Sequence, residues 1–152
     1  MIGDFLVASL VDTNILVYRC DPRDPRKRVA AREILRAGEM SGELRIPHQS
    51  LVEFVNSVTR LRGREAPIMK LQDATRQAEL FMAGFPVRYP NEAVFRMALL
   101  GKAAYELPWY DAHLWAYAEH YGAPEILSED FEHGRRYGTV RTRNPFVERG
   151  LA

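Results

Sequence analysis

At 152 residues, the chain is long enough to bury a continuous core and fits a single domain spanning residues 1–152. Apolar residues make up 47% of it, as in ordinary soluble proteins, and the longest apolar stretch, Phe5 to Val11, is too short to cross a bilayer. The net charge of +1 excludes a strongly basic or acidic character, and a single cysteine, Cys20, excludes internal disulfides and cysteine-rich zinc sites. An aspartate and no basic residue near the N-terminus argue against a signal peptide, so we expect a cytoplasmic protein with no membrane contact. Of the 21 basic residues, only Lys27, Lys70 and Lys102 are lysines. Arginine forks suit phosphate oxygens, although genome composition accounts for such a bias equally well.

In chain order, Phe5 to Val11 reads as a buried strand, because the apolar run stops at the polar Asp12-Thr13-Asn14. After Asp24-Pro25, the helical spacing of Val29, Ala30, Ile34, Leu35 and Ala37 marks a helix. Leu44 to Pro47 is a short strand. A helix follows from Ser50 to about Leu61, with Leu51, Val52, Phe54, Val55, Val58 and Leu61 as its buried face, and Gly63 stops it. Another helix after Pro67 carries Leu71, Ala74, Ala78 and Leu80 to Met82. Pro86 to Tyr89 is a strand, and Asn91 caps a helix from Glu92 to about Tyr105. Leu107-Pro-Trp-Tyr110 leads into a helix holding Asp111, Leu114, Trp115, Ala118 and Tyr121, closed by Gly122. Pro124 to Ser128 is a strand ending at Glu129-Asp130, and Thr139 to Thr142 is a final one. Alternation of strands and helices predicts a three-layer α/β/α sandwich around a central, mainly parallel sheet.

In such sheets functional residues gather at the carboxyl ends of the strands, near the point where strand order reverses. Asp12 ends the first strand and Asp130 follows the strand before it. Asp111 falls in the first turn of a helix, where the dipole stabilises a carboxylate in any case. Glu53 shares a helix stripe with Ser50, Ser57 and Arg60, ordinarily a solvated face. Each of the four has a plain structural reading, with Asp12 as a helix cap or turn residue and Asp130 as a loop residue. Their combination is what carries meaning.

Leu10-Val-Asp12-Thr-Asn14, Glu53 within Ser50-Leu-Val-Glu-Phe54, Tyr110-Asp111-Ala112 and Leu127-Ser-Glu-Asp130-Phe131 together resemble the PIN domain family, and more narrowly its VapC-type toxins of toxin–antitoxin pairs. The resemblance runs from about Val7 to Phe146. It implies a metal-dependent endoribonuclease with catalytic positions at Asp12, Glu53, Asp111 and Asp130, supported by the polar Asn14 and Ser128. It further implies a cognate antitoxin and a homodimer.

Magnesium, or manganese in its place, prefers oxygen ligands and retains waters, so one or two carboxylates suffice for each ion. Asp12, Asp111 and Asp130 are the expected metal ligands, with Asp130 acting directly or through water. Glu53 binds a second ion or orients the attacking water. Glu129 is adjacent to Asp130 and either could approach a metal, but only Asp130 occupies the motif position. Arg19, Arg23, Arg26, Arg28, Arg135 and Arg136 are candidates for an RNA-binding rim. Trp109, Tyr110, Trp115 and Tyr117 offer stacking surfaces or core packing. His48, His113, His120 and His133 have no zinc-like spacing and read as surface or packing residues. An aspartate-nucleophile phosphatase would need a second aspartate where Asn14 stands. The remaining alternative is a catalytically silent RNA- or protein-binding module. Phe81, Phe85, Phe95, Trp115 and Tyr117 are expected to exceed what one domain covers, which favours a homodimer.

Overall fold

The computed structural model describes residues 8–151. Six strands form one sheet in the order β3-β2-β1-β4-β6-β5: β1 (Ser9–Val11), β2 (Leu44–Pro47), β3 (Val87–Arg88), β4 (Glu125–Leu127), β5 (Arg136–Tyr137) and β6 (Val140–Arg143). All neighbours run parallel except β5, which turns back antiparallel on β6. The chain builds outward from β1 to β3, returns to the other side of β1 with β4, and finishes at that edge. Strand order therefore reverses between β1 and β4, where open parallel sheets place their sites. Phe5, Leu6 and Val7 of the expected first strand lie outside the described residues.

The strands alternate their faces. Val11 and its neighbour Leu127 enter one apolar cluster, while Leu10 and its neighbour Ile126 enter the other. The first cluster draws on α1 (Thr13–Cys20), α2 (Pro25–Ser41), α3 (His48–Thr59) and α4 (Leu71–Gly84), with Phe146 from the short α7 (Pro145–Glu148). The second draws on α5 (Glu92–Tyr105), α6 (Trp109–Tyr121) and the β5–β6 hairpin. The result is the three-layer α/β/α arrangement.

Some elements differ from the sequence reading. Asp12 opens a full helix, α1, whose buried residues are only Ile15 and Leu16, too few to give a clear apolar period. Strand β5 and helix α7 are two and four residues long, below what patterning detects. On α3, Val52 is exposed, as is Leu61 beyond its end at Thr59, and Ser50 is buried instead because its hydroxyl donates to the Val11 carbonyl at 2.9 Å. On α4, Leu71, Leu80 and Met82 are exposed, and Phe81 packs edge-on against Phe54.

The aromatic residues expected to overflow the core do not. Phe81, Phe85, Trp115 and Tyr117 are all buried within the chain, and only Phe95 is exposed, beside Leu99 and Leu100 on α5. Helix α6 accommodates its large side chains because it is buried over nearly its whole surface from Ala112 to Ala118. Trp115 anchors it, with its indole Nε1 donating to the Tyr137 carbonyl at 2.8 Å. Gly101 of α5 lies flat against the Trp115 ring, where a Cβ would collide with it. Gly101→Ala is therefore expected to cost about 1–3 kcal/mol by overpacking, read as a drop of several degrees in thermal midpoint.

Candidate active site

Parallel register sets the centre of the cleft. Val11 pairs with Leu127, and the Asp12 amide donates to the Leu127 carbonyl at 3.0 Å, so Asp12 and Ser128 leave the sheet side by side. Asp12 caps α1: its Oδ1 accepts from the Thr13 amide at 2.6 Å. Its Oδ2 accepts from the buried Ser128 hydroxyl at 2.6 Å and from Asn14 Nδ2 at 3.3 Å. The same Ser128 oxygen accepts from Asn14 Nδ2 at 3.2 Å and from the Asp130 amide at 3.0 Å. Asn14 Nδ2 also reaches Asp130 Oδ2 at 3.3 Å. Asn14 and Ser128 thus tie Asp12 and the Asp130 loop into one network.

Glu129 and Asp130 diverge in their contacts. The Glu129 carboxylate accepts from the Tyr18 hydroxyl at 2.7 Å and from Lys27 Nζ at 2.9 Å. Lys27 in turn stacks over the rings of Tyr18 and Phe146. Glu129 is therefore neutralised by a charged partner, whereas the exposed Asp130 carboxylate accepts, among the described residues, from Asn14 alone. Glu53, on α3, accepts from the Thr13 hydroxyl at 2.9 Å. Asp111 lies half-buried in the first turn of α6, held from behind where Gln49 donates to the Tyr110 carbonyl at 2.9 Å.

All four acidic side chains line one cleft of about 430 Å³. Burial pushes the Asp12 carboxyl from 3.8 up to about 7; the Ser128 bond opposes this, and the charges of Asp130 and Asp111 add to it. Asp111 rises to about 6, first through burial and then through Asp130 and Glu53. Among the described residues, no three His, Cys, Asp or Glu side chains converge to enclose a single ion. The donor set is nonetheless all oxygen and short of positive charge, which suits a magnesium ion that keeps several waters and needs few protein ligands.

Of the six arginines expected to form a basic rim, Arg23 alone lines the cleft. Arg60 and Arg62 line it as well. Arg19 instead donates to Gln77 and stacks on Phe81, Arg135 stacks on Tyr137, and Arg26, Arg28 and Arg136 are not part of the cleft wall. Asn56, Ser57 and Arg60 share the helix stripe of Glu53, so the face read as solvated is a cleft wall. That stripe was the available signal for them. Thr13 lay inside the first motif, and Gln49 and Arg62 had no signal. Of the aromatic residues, Tyr110 faces the cleft and is exposed, while Trp115 and Tyr117 belong to the core. His113 packs edge-on against Trp109 at 4.4 Å, and His133 accepts from the Asn144 amide, so both are packing residues.

The model of the PIN domain family matches residues 9–138. The chain belongs to the PIN domain family. Solved structures of similar fold include DNA-bound VapBC from Salmonella typhimurium, at 12% identity and a TM-score of 0.68, with 91% of this chain and 98% of that one covered. VapC20 from Mycobacterium tuberculosis, a sarcin-ricin loop cleaving toxin, has 14% identity and a TM-score of 0.62, covering 78% and 87%. PAE2754 from Pyrobaculum aerophilum has 22% identity and a TM-score of 0.56, covering 96% and 93%. At these identities the likeness is one of fold. No curated protein matches the sequence.

The raised carboxyl groups give this PIN domain a characteristic pH response. Folded Asp12 holds its proton up to about pH 7, whereas the unfolded residue releases it near 3.8. The folded state then binds more protons between those values, so this contribution to stability falls as pH rises and stays low above 7. Wild-type protein without divalent cations should lose several degrees of thermal midpoint relative to Asp12→Asn between pH 5 and pH 8. Scanning fluorimetry of both proteins across that range checks it, and parallel curves would show that Asp12 carries no such strain.

Proposed function

We propose that this PIN domain is a magnesium-dependent endoribonuclease and the toxin of a toxin–antitoxin pair. The observation that carries the reading is the meeting of Asp12, Glu53, Asp111 and Asp130, from four separate parts of the chain, in one cleft at the carboxyl edge of the sheet. Like charges crowded at a half-buried site are costly unless a cation joins them. The PIN family is one of nucleases, which supports the same reading.

In this proposal Asp12 and Asp111 hold the metal, and Asp130 joins them directly or through a water. A bound divalent cation supplies a water of lowered pKa, polarises the scissile phosphate and neutralises the departing oxygen. Asn14 and Ser128 fix the orientation of Asp12 and Asp130. Glu53, with one oxygen committed to Thr13, keeps the other for orienting the attacking water. Manganese serves in place of magnesium. Purified protein should cut single-stranded RNA with either ion and stop on chelation. Asp12→Ala, Asp111→Ala and Asp130→Ala should each lower the rate by at least on the order of 100-fold while the fold persists, with Ser128→Ala losing roughly 10–100-fold. Cleavage that survives exhaustive chelation would overturn the mechanism, and metal-independent RNA binding without cleavage would favour a silent binding module.

The toxin assignment draws on the similar solved structures, which include VapBC complexes and a toxin. Among the described residues no helix is long and apolar enough to cross a membrane. We place the protein in the cytoplasm, restrained by a cognate antitoxin, and paired as a homodimer through the exposed Phe95, Leu99 and Leu100 of α5. Expression alone should slow growth, and co-expression with the neighbouring open reading frame should restore it through a stable complex. Light scattering of the purified toxin should give twice the chain mass. Harmless accumulation of active protein would end the toxin assignment and leave the nuclease intact.

A further inference from the structure

The cleft is electrically lopsided. Of the six acidic groups that line it, Asp21 and Glu129 are paired with Arg23 and Lys27, and the other four gather towards the edge of the sheet, while its three arginines lie around the carboxyl end of α3. Arg23 is already engaged: its Nε and Nη2 clasp Asp21 at 2.8 and 2.7 Å, and its Nη1 reaches Glu65 at 3.3 Å. Arg60 and Arg62 have no side-chain hydrogen bond or ion pair among the described residues, and Arg62 Nε is buried without an acceptor. Arg62 is nevertheless fixed in place. Its backbone pairs with Glu65 across a tight turn, and Gly63 supplies the left-handed conformation at φ 62° that the turn requires. The turn is pinned to the body of the protein where Glu65 meets Arg23.

We infer that Arg60 and Arg62 form a subsite for the RNA backbone, gripping phosphates that flank the cleaved bond on one side only. This rests on the nuclease reading above. At about 1.5 Å per residue, Arg60 lies roughly 10 Å along α3 from Glu53, too far to share the scissile phosphate with the carboxylates. The wall between them is polar, made by Asn56 and Ser57, which suits a sugar-phosphate strand. The acidic end of the cleft repels RNA, so attraction must come from the other end, and a planar guanidinium is the group best matched to a phosphate. The carboxyl end of a helix favours a cation in any case, so stability alone does not distinguish a structural Arg60 from a binding one. RNA affinity does.

The test measures binding of a fluorescein-labelled single-stranded RNA by anisotropy, with calcium present, at several salt concentrations, alongside steady-state cleavage in magnesium. Arg60→Ala is the first variant, since that side chain is exposed, and Arg60→Ala with Arg62→Gln is the second. Arg64→Ala is the control, because Arg64 sits on the same turn but outside the cleft wall. Each cleft arginine removed should lower the slope of log affinity against log salt by about 0.7. KM should rise about tenfold or more in the double variant with kcat nearly unchanged, and Arg64→Ala should match wild type. Wild-type binding that the double variant retains in full overturns the subsite and leaves the nuclease reading standing. A loss confined to kcat, or an equal loss in Arg64→Ala, also overturns it. Failure of the wild type to bind any RNA overturns both readings.

Discussion

Val11 and Leu127 stand side by side in parallel strands, so the residues that follow them, Asp12 and Ser128, emerge together although 116 positions separate them. Everything at the sheet edge depends on that register. Leu10 and Ile126 are buried on one face while Val11 and Leu127 are buried on the other, and a slip by one residue would send each to the wrong side. Core packing on both faces thereby fixes the position of a polar network that has little apolar content of its own. The Ser128 hydroxyl, fully buried, converts the register into chemistry by holding one oxygen of Asp12 and the amide of Asp130.

Two kinds of carboxylate occur within a few residues of each other. Glu129 is matched by Lys27 and Tyr18 and behaves as a fastening between the β4 loop and helices α1 and α2. Asp12, Asp111 and Asp130 press on one another without a matching cation among the described residues, and Asp12 and Asp111 hold their protons far more tightly than free carboxyls do. A protein that needed only structural strength would distribute such charges or pair them. The contrast between adjacent residues is one of charge matching: Glu129 is paired, and Asp130 faces the open cleft with Asp12 and Asp111.

The long periodic elements and the parallel sheet were legible in sequence, because helices such as Glu92 to Tyr105 carry caps and strands such as Leu44 to Pro47 end abruptly. The four acidic positions were legible as a set, through their order along the chain, although none was convincing alone. Helix α1 was not, since its polar opening resembles a turn. At the arginine end of the cleft Arg23 was legible, and Arg60 and Arg62 were missed for a different reason. Proximity to the motifs in sequence pointed to Arg19, Arg26 and Arg28, but a helix turns successive residues around its axis, and the tertiary fold brought the end of α3 there instead. Burial of Phe81, Phe85, Trp115 and Tyr117 likewise depended on the depth of the two clusters, which composition cannot report.

The two ends of the cleft are built from unlike material. The acidic end is anchored in the sheet and in α6, a helix enclosed on nearly every side, where almost any substitution disturbs the core. The other end rests on a four-residue turn at Arg62–Glu65 that is largely exposed and is tied to the body of the protein through Arg23. Mutation is punished at one and tolerated at the other. Over evolutionary time such a molecule can change the basic end of its cleft, residue by residue along one short turn, while the acidic end beside it stands still.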